Sequence, residues 1–136
     1  MEELLAELEA LPKDDDLRYA SDDLMQAWKA RGVGLDGVKA ALAFIERHPD
    51  LDYGAPGALV HFAEEFYRKG YEAALLSSFD RRPTSLTAWM VNRLLNGTQT
   101  ATESEVYVSA VEKAEADPST DSSTRAEITR YLNRDR

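Results

Sequence analysis

The residues whose types and spacing come closest to a chemical motif are His61, Glu64 and Glu65, in the stretch LDYGAPGALVHFAEEFY of residues 51–67. Zinc peptidases carry two histidine ligands four residues apart on a helix, with a glutamate as general base. Here Glu65 stands where the second histidine would be, and His48 is the only other histidine in the chain. The motif therefore does not predict a metal centre, and we expect no cofactor.

Other catalytic patterns are equally incomplete. Gly54 and Gly57 lack the lysine and the serine or threonine of a phosphate-binding loop. The acidic runs at 14–16 and 22–23 lack the glycine and the final glutamate of a calcium loop. No nucleophile stands at a recognisable spacing from a base, so we expect a protein that is not an enzyme. An ordered metal, or a pocket with converging polar groups, would support the enzyme alternative.

The motif lies on the polar side of a predicted helix that begins at Pro56 and ends at Lys69. At 100° per residue, one broad face holds the apolar residues, namely Leu59, Val60, Phe62, Ala63, Phe66 and Tyr67. These residues are predicted to be core, and the polar side is predicted to meet solvent or a partner. Together with the preceding connection, it supplies the candidate partner-binding residues Asp50, Asp52, His61, Glu64 and Glu65. For His61, a surface or packed histidine without a partner is the competing interpretation.

The negative charge is concentrated in the N-terminal half. The formal net charge is −9. Residues 1–65 hold 15 Asp and Glu against 6 Lys and Arg, whereas residues 66–136 hold 10 of each. An acidic surface repels phosphate backbones and attracts basic proteins, so we expect a protein partner and no nucleic acid. A solvated surface that only keeps the protein soluble is the alternative.

Length and composition predict one soluble domain over residues 1–136. The chain has 136 residues, 43% of them hydrophobic, which is enough for one core. No apolar run is long enough to span a membrane, and Met1 is followed by two glutamates rather than a basic, apolar leader. The chain has no cysteine, which fits a reducing compartment. We therefore expect a cytoplasmic monomer without a membrane partner.

The periodicity is helical from Glu2 to Leu132, and no run alternates as a strand would. Short joints favour antiparallel neighbours, and helix pairs starting near residues 36, 71 and 102 have the spacing of helical repeats. The sequence thus predicts an all-α fold of seven to eight antiparallel helices, as a HEAT-like or irregular α-helical bundle or solenoid. Predicted helix starts include Ser21, Asp36, Thr102 and Thr124, chosen as N-caps.

The helix SLTAWMVNRLLN, residues 85–96, is apolar almost all round and is predicted to be the most buried one. On this helix we expect Trp89 to be deeply buried, with Asn92 and Asn96 on a narrow polar strip. Gly97 is predicted to end the helix.

Three segments resemble small, all-helical bacterial immunity proteins of contact-dependent growth inhibition and other polymorphic toxin systems. These are LDYGAPGALVHFAEEFY, GYEAALLSSFDRRPTSLTAWMVNRLLNG and AEITRYL, and the likeness is closest over residues 50–97. The resemblance implies a cytoplasmic antidote that binds a cognate toxin domain, commonly a nuclease, and blocks its active site. The alternative is a generic acidic scaffold or adaptor that binds other proteins.

Overall fold

The computed structural model describes residues 1–135, with side chains to Asn133, and is mostly helical. Over that range there are eight α-helices and no strand, which confirms the all-α prediction. The helices are α1 Glu2–Glu9, α2 Leu17–Ala30, α3 Leu35–Arg47, α4 Ala58–Glu64, α5 Tyr71–Arg81, α6 Ser85–Asn96, α7 Ala101–Ala116 and α8 Ser122–Asp135. The chain divides within α5 into two compact units, Met1–Ala74 and Leu75–Arg136. The expected single domain and HEAT-like arrangement stay predictions.

None of the four predicted N-caps begins its helix. Asp36 lies in the first turn of α3, whose N-cap is Gly34, and Thr124 lies inside α8, where its backbone N–H donates to Asp121 Oδ2 at 3.1 Å.

The other two helices begin earlier than expected. Helix α2 begins four residues before Ser21, whose buried hydroxyl donates to the Arg18 carbonyl at 3.1 Å within the helix. Ser21 follows Leu17 by one turn and shares its inward face, so its side chain is directed into the core. Helix α7 begins two residues earlier than expected, because Thr100, not Thr102, accepts the Glu103 backbone N–H, at 3.2 Å.

Helix α4 is shorter than predicted. It ends at Glu64, and residues 65–70 form turns. Hydrogen bonds there span three residues, as in the bond from the Tyr67 N–H to the Glu64 carbonyl at 3.2 Å. This tighter winding advances each side chain by about 120° instead of 100°. Tyr67 therefore turns away from the apolar face and is 45% exposed, so its predicted core position was wrong.

The first unit holds α1 to α4 and an aromatic core. Helix α3 packs against α1 and α4, and α4 also packs against α2. Trp28 of α2 meets Phe62 of α4 edge to face, with ring centroids 5.5 Å apart. Gly37 of α3 lets α4 approach closely, since a Cβ there would lie 2.9 Å from Phe62 Cε1. The same stretch that carries the candidate site thus supplies a central core residue.

Polar contacts between side chains hold α1 against its neighbours in the first unit. Arg31 Nη1 lies 2.6 Å from Glu7 Oε1, and this hydrogen bond lowers the pKa of the Glu7 carboxyl below its usual value. His48 Nε2 lies 2.9 Å from Glu9 Oε1. These pairs are partly solvated, so each stabilises the unit only modestly.

The second unit is built on α6, which packs against α7 and α8 while α7 packs against α8. The predicted burial of this helix was only partly right. Met90 and Val91 are buried, but Trp89 is only half-buried and the Arg93 guanidinium lies 5.4 Å from its ring centroid. Asn92, placed on the polar strip, is buried. The buried face of α6 therefore includes Asn92, because α7 and α8 cover only that side of the helix.

The start of α6 is fixed by a reciprocal pair of threonines. Thr84 Oγ1 accepts the Thr87 backbone N–H, and Thr87 Oγ1 accepts the Thr84 backbone N–H, both at 3.1 Å. Both residues are buried, so water cannot replace these bonds once they are lost. We expect Thr84→Val, which keeps the shape but removes the acceptor, to lower the free energy of unfolding by about 1–2 kcal/mol. Urea denaturation measures this change.

The matched control is Thr100→Val, which removes the exposed cap of α7. Water can replace that acceptor, so we expect a loss nearer 0.5 kcal/mol, at the low end for caps. Equal midpoints for Thr84→Val and the wild type would mean that the buried pair does not stabilise α6.

Candidate protein-interaction surface

The connection before α4 presents two carboxylates on an anchored turn. Asp50 and Asp52 are exposed, and Asp52 Oδ1 accepts the Gly54 backbone N–H at 3.0 Å. Tyr53, which directly follows Asp52, is buried, and its hydroxyl donates to the His48 carbonyl at 2.6 Å. Burial raises the pKa of the Tyr53 phenol well above its usual value, with Glu9 adding to the effect, so the phenol stays neutral. The turn is thus held from inside while its carboxylates meet solvent.

Two glycines allow this turn to close. Gly54 and Gly57 have φ values of 116° and 101°, and the peptide bond between Ala55 and Pro56 is cis. A Cβ on Gly57 would lie 1.8 Å from the Tyr53 carbonyl oxygen, so the chain passes over itself here. Pro56 therefore belongs to this turn and not, as predicted, to the first position of the helix.

The polar side of α4 points outward, as predicted. His61 and Glu65 are exposed and Glu64 is half-buried, whereas Leu59, Val60, Phe62 and Ala63 are buried. Glu65 Oε2 lies 3.1 Å from Lys29 Nζ at the end of α2. The His61 side chain is thus available to a partner.

Helix α2 runs beside residues 52–65, and contacts near its two ends show how far apart the ends of this segment lie. Near its start, Arg18 Cδ lies 3.6 Å from where a Cβ on Gly54 would be, and near its end Lys29 pairs with Glu65. Eleven residues of helix span about 16 Å at 1.5 Å per residue. Asp52 and Glu65 therefore lie at opposite ends of one edge rather than in a cluster. We call residues 50–65, which α2 borders, the acidic edge.

The charge of the chain is concentrated in the unit that carries this edge. Residues 1–74 hold 16 Asp and Glu against 8 Lys and Arg, a net charge of −8. Residues 75–136 hold 9 against 8, a net charge of −1. The electrostatic field that a partner meets is therefore strongest around the first unit.

A groove lies between α5 and α7 within the second unit, and the sequence did not predict it. This groove has a volume of about 310 Å³ and apolar walls formed by Leu76, Phe79, Pro83, Val106 and Ala110. Val106 is 51% exposed, a large apolar side chain in water. Asp80 and Lys113 pair with each other at 2.6 Å beside the groove. Because these charges neutralise each other, the groove presents mainly apolar surface.

Among the residues that the structure describes, no three His, Cys, Asp or Glu side chains are grouped so as to hold a metal ion. Within the same part of the chain, no helix combines the length and apolar character needed to cross a bilayer.

No protein-family model, no curated protein and no solved structure matches the chain. The resemblance to small helical immunity proteins therefore stays a prediction from the sequence segments that carry it.

Proposed function

We propose that this chain is an immunity protein, which binds a cognate toxin domain of opposite charge and blocks its active site. The observation that carries the proposal is the net charge of −8 on the first unit, with Asp50, Asp52 and Glu65 exposed along one edge. The resemblance of residues 50–97 to immunity proteins supplies the class of partner. A monomer acting in the cytoplasm, without a cofactor, completes the proposal.

Electrostatics gives the mechanism a physical basis. A nuclease binds the phosphate backbone through basic residues, so its active-site face is positive. Carboxylates on the acidic edge attract that face over a distance of about a Debye length, roughly 8 Å at physiological salt. Such attraction raises the association rate and aligns the partner before contact. Once bound, the edge excludes nucleic acid from the site.

The test measures association with the C-terminal toxin domain encoded beside this chain's gene. We expect Asp50→Asn combined with Asp52→Asn to slow association roughly two- to fivefold at low salt, and less at high salt. Asparagine keeps the oxygen that accepts the Gly54 N–H, so the turn should persist while two charges are lost. Stopped-flow fluorescence at two salt concentrations measures both rates.

The matched control is Glu105→Gln with Glu112→Gln, which removes two exposed charges of α7 in the second unit. We expect this variant to associate almost as fast as the wild type. Equal slowing by both double variants would show that net charge matters and the acidic edge does not. Failure of the wild-type protein to bind the toxin domain, or to protect cells that produce it, would contradict the proposed function itself.

The second candidate is an acidic scaffold or adaptor without a toxin partner. The α5–α7 groove favours it, because an apolar groove outside the acidic edge suits a different binding partner. Protection of cells against the neighbouring toxin separates the two functions, since only the immunity protein confers it.

A further inference from the structure

We infer that the outer face of α2 is a docking surface for an arginine side chain of a basic protein, with Tyr19 as its aromatic anchor. This Tyr19 face consists of Tyr19, Asp22, Asp23 and Gln26. The inference deepens the proposed function and rests on it for the kind of partner. None of these residues is among the partner-binding residues predicted from the sequence.

Helix α2 has already used its inner side for the core. Leu17, Ser21, Met25 and Trp28 recur at intervals of three or four residues and are all buried. Tyr19 points the other way and is 75% exposed, well above the 45% of Tyr67. A tyrosine ring in water loses apolar burial without any gain to the fold, whereas tyrosine is among the residues that most often anchor protein interfaces.

The neighbours of Tyr19 select for a cation. Asp22 and Asp23 follow it by three and four residues, so both lie one turn further along the same face. Asp22 Oδ2 accepts the Gln26 side-chain N–H at 2.8 Å, which leaves its other oxygen for a partner. An aromatic face attracts a cation, and carboxylates one turn away can accept hydrogen bonds from the N–H groups of that cation.

This geometry favours arginine over lysine. A guanidinium is planar, so it can stack on the Tyr19 ring and still direct N–H groups toward a carboxylate. An ammonium is a compact, strongly hydrated charge and gains less from the ring. The expected occupant is therefore an arginine-bearing surface rather than any positive charge.

The Tyr19 face is continuous with the acidic edge. At 100° per residue around α2, Asp22 lies about 40° from the direction of Arg18 and about 20° from that of Lys29. Arg18 and Lys29 border the 52–65 segment. Tyr19 lies about 60° beyond Asp22, further from that segment. A partner steered to the edge can therefore reach the Tyr19 face without leaving the first unit. Charge complementarity thus makes a basic protein the occupant.

The test uses capped hexa-arginine and hexa-lysine peptides of equal charge as probes of the full chain. We expect wild-type protein to bind hexa-arginine roughly two- to fivefold more tightly than hexa-lysine, in the range of exposed cation–π contacts. Tyr19→Leu keeps an apolar side chain but removes the aromatic ring, so it should abolish this preference by weakening the binding of hexa-arginine more than that of hexa-lysine. Isothermal titration calorimetry measures the affinities, and amide chemical shifts should locate binding on α2.

The control is Tyr67→Leu, which removes the other exposed tyrosine, whose ring already faces the Arg68 guanidinium at 5.5 Å. This variant should keep the preference for arginine. A preference that survives Tyr19→Leu, or no preference in the wild type, would overturn the inference.

A further pair of measurements separates this inference from the proposed function. If Tyr19→Leu binds the toxin domain as tightly as the wild type, the immunity function stands and the Tyr19 face is not its docking surface. If the arginine preference depends on Tyr19 but the wild type does not neutralise the toxin, the surface stands and the proposed function fails. If Tyr19→Leu weakens toxin binding and melts at the wild-type temperature, both proposals are supported.

Discussion

Replacing Trp28 with alanine should lower the free energy of unfolding of the first unit by about 3–5 kcal/mol, the usual cost of emptying a buried tryptophan site. Trp28 is fully buried, with 0% of its surface exposed, and its ring meets Phe62 edge to face. Removing it takes away apolar contacts with α4 and leaves a cavity between two helices. Such a loss is a large share of the stability of a typical domain. Urea denaturation followed by circular dichroism measures it.

The control for this prediction is Trp89→Ala. Trp89 is half-buried and partly covered by Arg93, so its removal opens less of a cavity and we expect a clearly smaller loss. If Trp89→Ala proves as destabilising as Trp28→Ala, Trp89 must be more deeply buried than this structure places it. The comparison also matters for function, because Trp28 supports the α2 helix that carries the Tyr19 face.

Replacing Gly57 with alanine should lower the free energy of unfolding by about 3 kcal/mol or more. Gly57 has φ 101° and ψ 172°, a region open essentially to glycine alone, where strain costs about 1–3 kcal/mol. The added Cβ would also lie 1.8 Å from the Tyr53 carbonyl oxygen, and backbone atoms must move to relieve that overlap. The turn that presents Asp52 would then be distorted, so binding to a basic partner should weaken as well.

The matched control is Gly97→Ala at the end of α6. Gly97 has φ −92° and ψ 0°, and the nearest atom to a Cβ there is 3.6 Å away. Alanine fits this conformation and restricts the unfolded chain, so we expect stability to stay constant or rise by up to about 1 kcal/mol. Thermal unfolding of the two variants measures the contrast. A Gly57→Ala protein that melts with the wild type would mean that the turn has a different backbone.

Sequence reasoning located helices best where periodicity and a stop signal agreed. Helix α3 was expected from Asp36 to before Pro49 and spans Leu35–Arg47, and α6 was expected and found at Ser85–Asn96 before Gly97. Both combine an apolar face with a proline or glycine shortly after it, and these two residues disfavour a helix interior. The Thr84 cap was missed because the third residue after it is a threonine, whereas the usual capping box has glutamate or glutamine at that position.

For the candidate site, the sequence predicted which side chains point outward. The outward direction of His61 and Glu65 follows from their angle to Leu59 and Phe62 on one helix, and such local geometry is readable from spacing. The Tyr19 face was missed because α2 was expected to start at Ser21, which left Tyr19 outside any helix. Once α2 begins at Leu17, the same periodicity places Tyr19 opposite the core.

The sequence by itself determined the all-α class, the acidic N-terminal half and the polar side of α4, because composition and helical spacing act over a few neighbouring residues. Only the tertiary structure decided that α2 lies along residues 52–65, that Trp28 rather than Trp89 is the deeply buried tryptophan, and that an apolar groove opens between α5 and α7. These features depend on which helices meet and on what side. Periodicity indicates that a helix has an apolar face, but the partner that covers this face is chosen by packing between segments far apart in the chain.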